Sequence, residues 1–328
     1  VKPVEIHADG AWELARGFVG EELSTSSEEW FVGEKQEALD ALTRLRHDGI
    51  DVVFNALHGP GGEDGTIQGM LRFAGLAFTG PDVAVAAVTM DKRLTKLALD
   101  AVGILVPAGV DLPRRSGKGL EWPLWTEETR AVLPFPWIVK PNCLGSSVGI
   151  EVFETADEFV ARAVAVGDDL WRPRPEIAGS GFLIESVVAG RELTCGVLET
   201  DGPPRALPPI EIRPRTSEFF DYEAKYTPGA TEEICPAPLD EAQNRAVQEI
   251  AVRVHTLFEC APLSRVDLFL TDTGELIVLE INTLPGMTDT SLIPQSAKAA
   301  GISLECLFGD LVAHALRREE TRDSVGVL

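Results

Sequence analysis

The stretch Arg265-Val266-Asp267-Leu268-Phe269-Leu270-Thr271-Asp272-Thr273-Gly274-Glu275-Leu276-Ile277-Val278-Leu279-Glu280-Ile281-Asn282 reads as two apolar strands joined by a turn. Residues 266–270 and 276–281 are the strands, and Asp272-Thr273-Gly274-Glu275 is the turn-forming break that suits an antiparallel hairpin. If Thr271 pairs with Leu276, Asp267 falls opposite Glu280 and Arg265 opposite Asn282. The two-residue pleat then puts all four on one face. Two facing carboxylates repel and need a proton or a cation, and Asp, Glu and Asn oxygens are the hard ligands that magnesium takes beside nucleotide phosphates. Arg265 adds a charge-assisted contact for a phosphate or an anionic intermediate. An exposed hairpin face would also carry acids into water, and the hairpin alone leaves the two readings even. The turn at 283–288 favours a ligand, because Gly286 permits close backbone approach and Ser291 adds a hydroxyl.

Outward from the hairpin the chain reads as mixed α and β. Residues 34–47 carry Leu39, Leu42 and Leu45 as a helical stripe with Gly49 as a stop, and residues 52–57 form a buried strand. The Gly-rich run 58–65 then lies at the carboxyl end of a strand in a parallel sheet, where small ligands bind. A helix from Asp91 stops at Gly103, a strand over 135–139 ends in Lys140-Pro141, and Thr155 with Glu158 forms a capping box. Leu183 and Ile184 begin another apolar segment, closed by Glu185. Asp240 and Gln243 cap a helix whose apolar face is Ala242, Ala246, Ile250 and Val254. Residues 113–136 read as an irregular connection, and 212–233, without a period and long for a connection, as a lid.

The 328 residues, 45% of them hydrophobic, suffice for two or three cores. No run of eighteen uncharged apolar residues and no leader-like N-terminus occurs, so a cytoplasmic location is the expectation. The five cysteines are scattered, which argues against zinc and against a disulfide framework and makes them packing residues. A net charge of -23 disfavours nucleic acid and anionic membrane as partners. Any phosphate must then be held by locally placed lysines, backbone amides and a bound cation. Lys140 precedes Gly145-Ser146-Ser147-Val148-Gly149, a loop able to fold its N–H groups around phosphate, although such loops are commonplace. Lys92, at a helix start, taken alone is equally a solvated charge. No Walker loop and no G-x-G-x-x-G after a strand occurs.

Together these segments resemble the D-alanine:D-alanine ligase family of the ATP-grasp superfamily, over roughly residues 1–318. The resemblance is carried by Leu57-His58-Gly59-Pro60-Gly61-Gly62-Glu63-Asp64-Gly65 with Gln68-Gly69, Met90-Asp91-Lys92, Val139-Lys140-Pro141 with the Gly-Ser loop, Tyr222-Glu223-Ala224-Lys225-Tyr226, Arg265-Val266-Asp267, and Glu280-Ile281-Asn282-Thr283 with Pro285-Gly286-Met287-Thr288. It implies an ATP-grasp fold: a parallel α/β domain over 1–88, then mixed α+β domains over 89–190 and 191–328 that sandwich ATP. Lys92, Lys140 and Lys225 would lie near the phosphates, Glu185, Val187 and Val188 beside adenine, and Glu192 on the ribose. Asp267, Glu280 and Asn282 would hold two magnesium or manganese ions. Ser146 and Tyr226 match two parts of a hydrogen-bonded triad, while His58, Arg265, Gly286 and Ser291 would contact substrate or the acyl phosphate. The implied activity joins two D-alanine molecules for peptidoglycan, in an enzyme that is commonly a homodimer. D-lactate or D-serine as second substrate, or nucleotide binding with little turnover, are the alternatives. The last arises because the chain begins in what the resemblance makes the second strand, so the triad's glutamate is expected outside it.

Overall fold

The computed structural model describes residues 1–15, 35–112, 122–145, 149–166, 181–214 and 231–325. The chain divides into two compact units, Val1–Phe54 with Gly69–Phe78 and Ala315–Leu328, and Asn55–Gln68 with Thr79–His314.

In the first unit β1 (Val4–Ile6) and β2 (Trp12–Leu14) form an antiparallel pair. Helix α1 (Ala38–His47) buries Ala41, Leu42 and Leu45, but Leu39 stays 68% exposed, so the expected leucine stripe is one residue too long. Strand β3 (Val52–Val53) runs parallel to β4 (Ala77–Phe78), with α2 (Thr66–Phe73) between them in sequence. The parallel pairing agrees with expectation; the strand's length does not. The expected strand over 52–57 stops at Val53 because the backbone then leaves the ladder: the Asn55 N–H donates to the Thr79 hydroxyl and the Leu57 N–H to the Asn55 side chain.

The second unit opens with α3 (Val83–Met90) and α4 (Lys92–Ala101), and Asp91 caps α4 by accepting from the Leu94 N–H. Strands β5 (Gly109–Asp111), β6 (Trp137–Pro141), β7 (Glu151–Phe153) and β8 (Phe182–Ser186) make a four-stranded antiparallel sheet in the order β5-β8-β6-β7. Helices α5 (Trp122–Arg130) and α6 (Ala156–Val166) belong with it. Part of the supposed irregular run 113–136 is therefore helix: α5 lays Trp122 and Trp125 edge-on to Phe159 and Trp137, and the Trp137 indole donates to the Leu133 carbonyl. The Thr155–Glu158 box opens α6 as read.

A six-stranded sheet follows. It consists of β9 (Arg191–Leu198), β10 (Arg205–Ala206), β11 (Ile210–Pro214), β12 (Thr231–Ile234), β13 (Leu263–Leu270) and β14 (Leu276–Asn282), ordered β12-β11-β9-β13-β14 with β10 also on β9. Helix α7 (Glu241–Leu257) has the expected Asp240–Gln243 box but buries Val247, Ala251, Val254 and His255, leaving Ala242 and Ala246 exposed. A strict every-fourth stripe gains about 40° per step on a 3.6-residue helix and leaves the core, so the buried face follows mixed three- and four-residue steps. His255 ties β13 to the end of β9, with Nδ1 2.7 Å from the Ser264 hydroxyl and Nε2 3.0 Å from Glu199, the residue after β9. Helices α8 (Leu292–Ala299) and α9 (Leu304–Val325) complete the order. Cys195 and Cys260 are buried as expected, whereas Cys306 is exposed. No single helix among the described residues is long and apolar enough to cross a membrane.

Phe159 is wholly buried and touches four aromatic rings, while Phe73 is 91% exposed. Phe159→Ala should therefore cost about 3–5 kcal/mol in this sheet and Phe73→Ala under about 0.5 kcal/mol. Urea titration followed by tryptophan fluorescence, to which Trp122, Trp125 and Trp137 contribute from around Phe159, checks this; equal midpoints for the two variants would refute it.

Candidate active site

The hairpin reaches the expected pairing by an unexpected route. Leu270, not Thr271, pairs with Leu276, and a bulge between Asp267 and Leu268 restores Asp267 opposite Glu280 and Arg265 opposite Asn282. The extra residue is Leu279, and it is required by the side chains themselves. Leu276 and Val278 pack on the core, as does Ile281, so the pleat must change parity between them. Glu280 and Asn282 then share the outer face with Arg265 and Asp267, and Thr194 joins them from β9, opposite Asp267.

On that face every acid meets a cation or a donor. The Arg265 guanidinium holds Asp267 with two bonds, Nε to Oδ1 at 2.9 Å and Nη2 to Oδ2 at 2.7 Å, and the Thr194 hydroxyl donates to Oδ1 at 2.5 Å. Burial works against the Arg265 charge, yet Asp267 and Glu280 raise its pKa further. Lys92 Nζ lies 3.4 Å from Glu280 and donates to the Leu144 carbonyl. The Asn282 side-chain oxygen accepts from the Leu284 N–H at 2.9 Å, which fixes the start of the following loop. No cluster of three His, Cys, Asp or Glu gathers among the described residues, so a metal site here rests on two opposed carboxylates and an amide oxygen. That all-oxygen set fits magnesium or manganese chemistry and does not fit zinc.

Asn142 brings α4 to β6: its carbonyl accepts from the Lys92 N–H and its side chain from the Arg93 N–H. Lys96 lies one turn beyond Lys92 on the same helix face. Its ammonium sits 2.5 Å from Glu185 Oε1, and that of Lys140 sits 2.5 Å from Oε2. All three side chains are buried. Burial alone would raise the Glu185 pKa, but Lys140 and Lys96 together hold it below the usual carboxylate range. Burial and the Lys140 charge push Lys96 down to about 8 against the pull of Glu185. Two ammoniums and one carboxylate leave surplus positive charge, in a chain whose net charge is -23.

The His-Gly run forms a tight loop. The Gly62 carbonyl accepts from the Gln68 and Asn55 amides, and a Cβ on Gly62 would come within 2.6 Å of Leu57 Cβ. Glu63 accepts from the Gly59 N–H at 2.8 Å and lies 3.9 Å from the His58 ring. Glu63 also acts electrostatically on Arg265, so this loop and the hairpin face one region. The demand at Gly286 is milder, since a Cβ there would sit 2.9 Å from the Ser291 hydroxyl, a side-chain end that can rotate away. That hydroxyl serves the loop, accepting from the Thr288 N–H, and does not cap α8.

Arg265, Asp267, Glu280, Asn282 and Lys92 thus come together, as do Lys140 and Glu185 with Lys96. Glu192 lies on β9 two residues before Thr194, and Val187 and Val188 follow β8 half-buried, the Val187 N–H donating to the Pro136 carbonyl. Ser146, Lys225 and Tyr226 lie outside the described residues, as does most of the expected lid. Sequence reasoning missed Lys96 and Thr194. The four-residue spacing from Lys92 could have signalled Lys96, whereas Thr194 meets Asp267 from 73 residues away and leaves no local trace.

Residues 1–81 match the family model for the D-ala D-ala ligase N-terminus and residues 99–313 that for the C-terminus. A D-alanine--D-alanine ligase of Syntrophotalea carbinolica is 40% identical over 85% of this chain and 84% of its own. That of Desulfotalea psychrophila is 38% identical over 93% and 90%. Among solved structures, the D-alanine-D-alanine ligase from Coxiella burnetii superposes with a TM-score of 0.72 at 26% identity, covering 99% of this chain and 86% of that one. The Bacillus anthracis enzyme complexed with ATP gives 0.68 at 29%, over 86% and 85%. The VanG D-Ala:D-Ser ligase of Enterococcus faecalis gives 0.73 at 28%, over 96% and 89%.

The Glu63 side chain raises the His58 pKa above 6.5, against burial. The charged pair therefore stabilises the folded chain below the ordinary imidazole range, and that contribution is lost as pH rises through the raised value. Following the His58 ring protons by NMR, Glu63→Gln should move the titration midpoint downward; an unmoved midpoint contradicts the pairing.

Proposed function

This chain belongs to the D-alanine--D-alanine ligase family, and from that premise we propose that it joins two D-alanine molecules at the expense of ATP through an acyl phosphate. The observation that carries the reading is the opposed Asp267–Glu280 pair with Arg265 and Lys92 against it. A carboxylate is a poor acyl donor until phosphorylated, and phosphoryl transfer needs alignment and charge neutralisation more than covalent participation by the protein. In the first step a carboxylate oxygen of one D-alanine bonds to the γ-phosphorus and ADP leaves. In the second the amine of the other D-alanine bonds to the acyl carbon, phosphate departs and the nitrogen loses a proton.

Lys92 and Lys140 are the side chains for the phosphates, with Lys225 from the segment outside the described residues. Asp267, Glu280 and Asn282 would hold the magnesium ions, which when bound neutralise charge on the transferring phosphoryl group. Arg265 is placed to stabilise the oxyanion of the tetrahedral intermediate. His58 and the Gly286–Ser291 loop are the substrate contacts, and Glu185, Val187, Val188 and Glu192 the adenosine side. Ser146 and Tyr226 belong to the same reading. The three-part division at 88/89 and 190/191 belongs to the same proposal, and what supports it is that the strands of the four-stranded sheet fall within 89–190 and those of the six-stranded sheet within 191–328. D-serine or D-lactate as second substrate is the neighbouring reading, and the VanG D-Ala:D-Ser ligase likeness is what favours keeping it in the test.

Phosphate release from ATP should depend on D-alanine, with D-alanyl-D-alanine as the product by mass spectrometry, and L-alanine should be inert. A faster reaction with D-serine or D-lactate in the second position would replace the reading, and ATP binding without turnover would leave a nucleotide-binding protein. Glu280→Gln should lower turnover at limiting magnesium at least about tenfold, a barrier change of about 1.4 kcal/mol, with the fold retained by circular dichroism. Unchanged turnover would exclude Glu280 from the metal site.

A further inference from the structure

Lys96 is a buried cation with no task in the reaction above. It approaches Glu185 from the oxygen that Lys140 does not hold, each contact being 2.5 Å. A single Lys140–Glu185 pair would be closed: drawing Lys140 to a phosphate would strand a buried carboxylate without a counterion, and such stranding is strongly unfavourable. We propose that Lys96 is a positioning residue of the nucleotide site, which keeps Glu185 charged and in place so that Lys140 is free to turn to a phosphate. The inference rests on the reading that Lys140 and Glu185 serve ATP.

Three features support it. Lys96 and Glu185 are both buried, so bulk solvent is a poor substitute for either partner. Helix α4 carries Lys92 and Lys96 one turn apart and is held to β6 through Asn142, so the second lysine cannot drift from the first lysine's site. Two ammoniums on one carboxylate leave the cluster with surplus positive charge, which an arriving phosphate would offset.

The test compares the unaltered chain with Lys96→Met, Lys96→Arg, Glu185→Gln and the Lys96→Met/Glu185→Gln double variant, measuring ATP affinity by calorimetry and kcat and KM in the ligase assay. Lys96→Met should weaken ATP at least about tenfold, with kcat and the D-alanine KM within about threefold, and Lys96→Arg should recover most of the affinity. The two substitutions should not add, because Lys96 acts only through Glu185. If Lys96→Met does not fold, Glu185→Gln against the double variant decides: equal ATP affinity within about threefold supports the proposal, and a further tenfold loss overturns it. A folded Lys96→Met that binds ATP like the unaltered chain overturns the inference alone. An unaltered chain that does not bind ATP overturns the ligase reading, and the inference with it.

Discussion

Two carboxylates face each other across the β13–β14 hairpin, and in a chain of net charge -23 that juxtaposition stands only where cations are delivered to it. The surrounding fold does this delivery. Arg265 comes from two residues away on the same strand, and Lys92 from the start of a helix nearly 190 residues earlier in the chain. What places Lys92 is Asn142, whose backbone and side chain both accept from the first turn of α4. The same docking sets Lys96 and Lys140 on the two oxygens of Glu185. Three segments far apart in sequence thereby bring four cations to one region, although acidic residues outnumber basic ones in the chain by 52 to 29.

The hairpin was legible in the sequence, though for an incomplete reason. The expected register assumed a regular ladder from Thr271–Leu276 onward; the real ladder begins one residue earlier and a bulge at Leu279 cancels the error. The parity switch was there to be read, since Leu276 and Val278 need the core face and so does Ile281, an odd step that no unbulged strand allows. Helix α7 shows the opposite case. Asp240 and Gln243 give its cap, but a strict four-residue repeat does not give its buried face, and the two alanines such a repeat selects, Ala242 and Ala246, are exposed. The 113–136 run failed because Pro and Trp suggested a loop, whereas Trp122 and Trp125 are there to cover Phe159 and Trp137.

Site chemistry divides in a similar way. Residues that stand in short motifs and to which a chemical role is proposed, such as Asp267, Glu280, Lys140 and His58, could be named from sequence. Residues that act by holding others could not. Thr194 meets Asp267 only because β9 and β13 are neighbours, and Lys96 gains significance only when a buried Glu185 is seen to have two ammonium partners. Supporting contacts of this kind are set by tertiary register, which a single sequence does not state, and they orient the groups that do chemistry.

The central claim is that the hairpin acids exist to hold a divalent cation against a nucleotide. Manganese electron paramagnetic resonance on the full chain with ATP tests it most directly. The account predicts a protein-bound manganese signal that appears with ATP, and its loss in the Asp267→Asn/Glu280→Gln double variant while calorimetry still detects ATP binding. The same bound signal in that variant, at the same manganese affinity, would contradict the account.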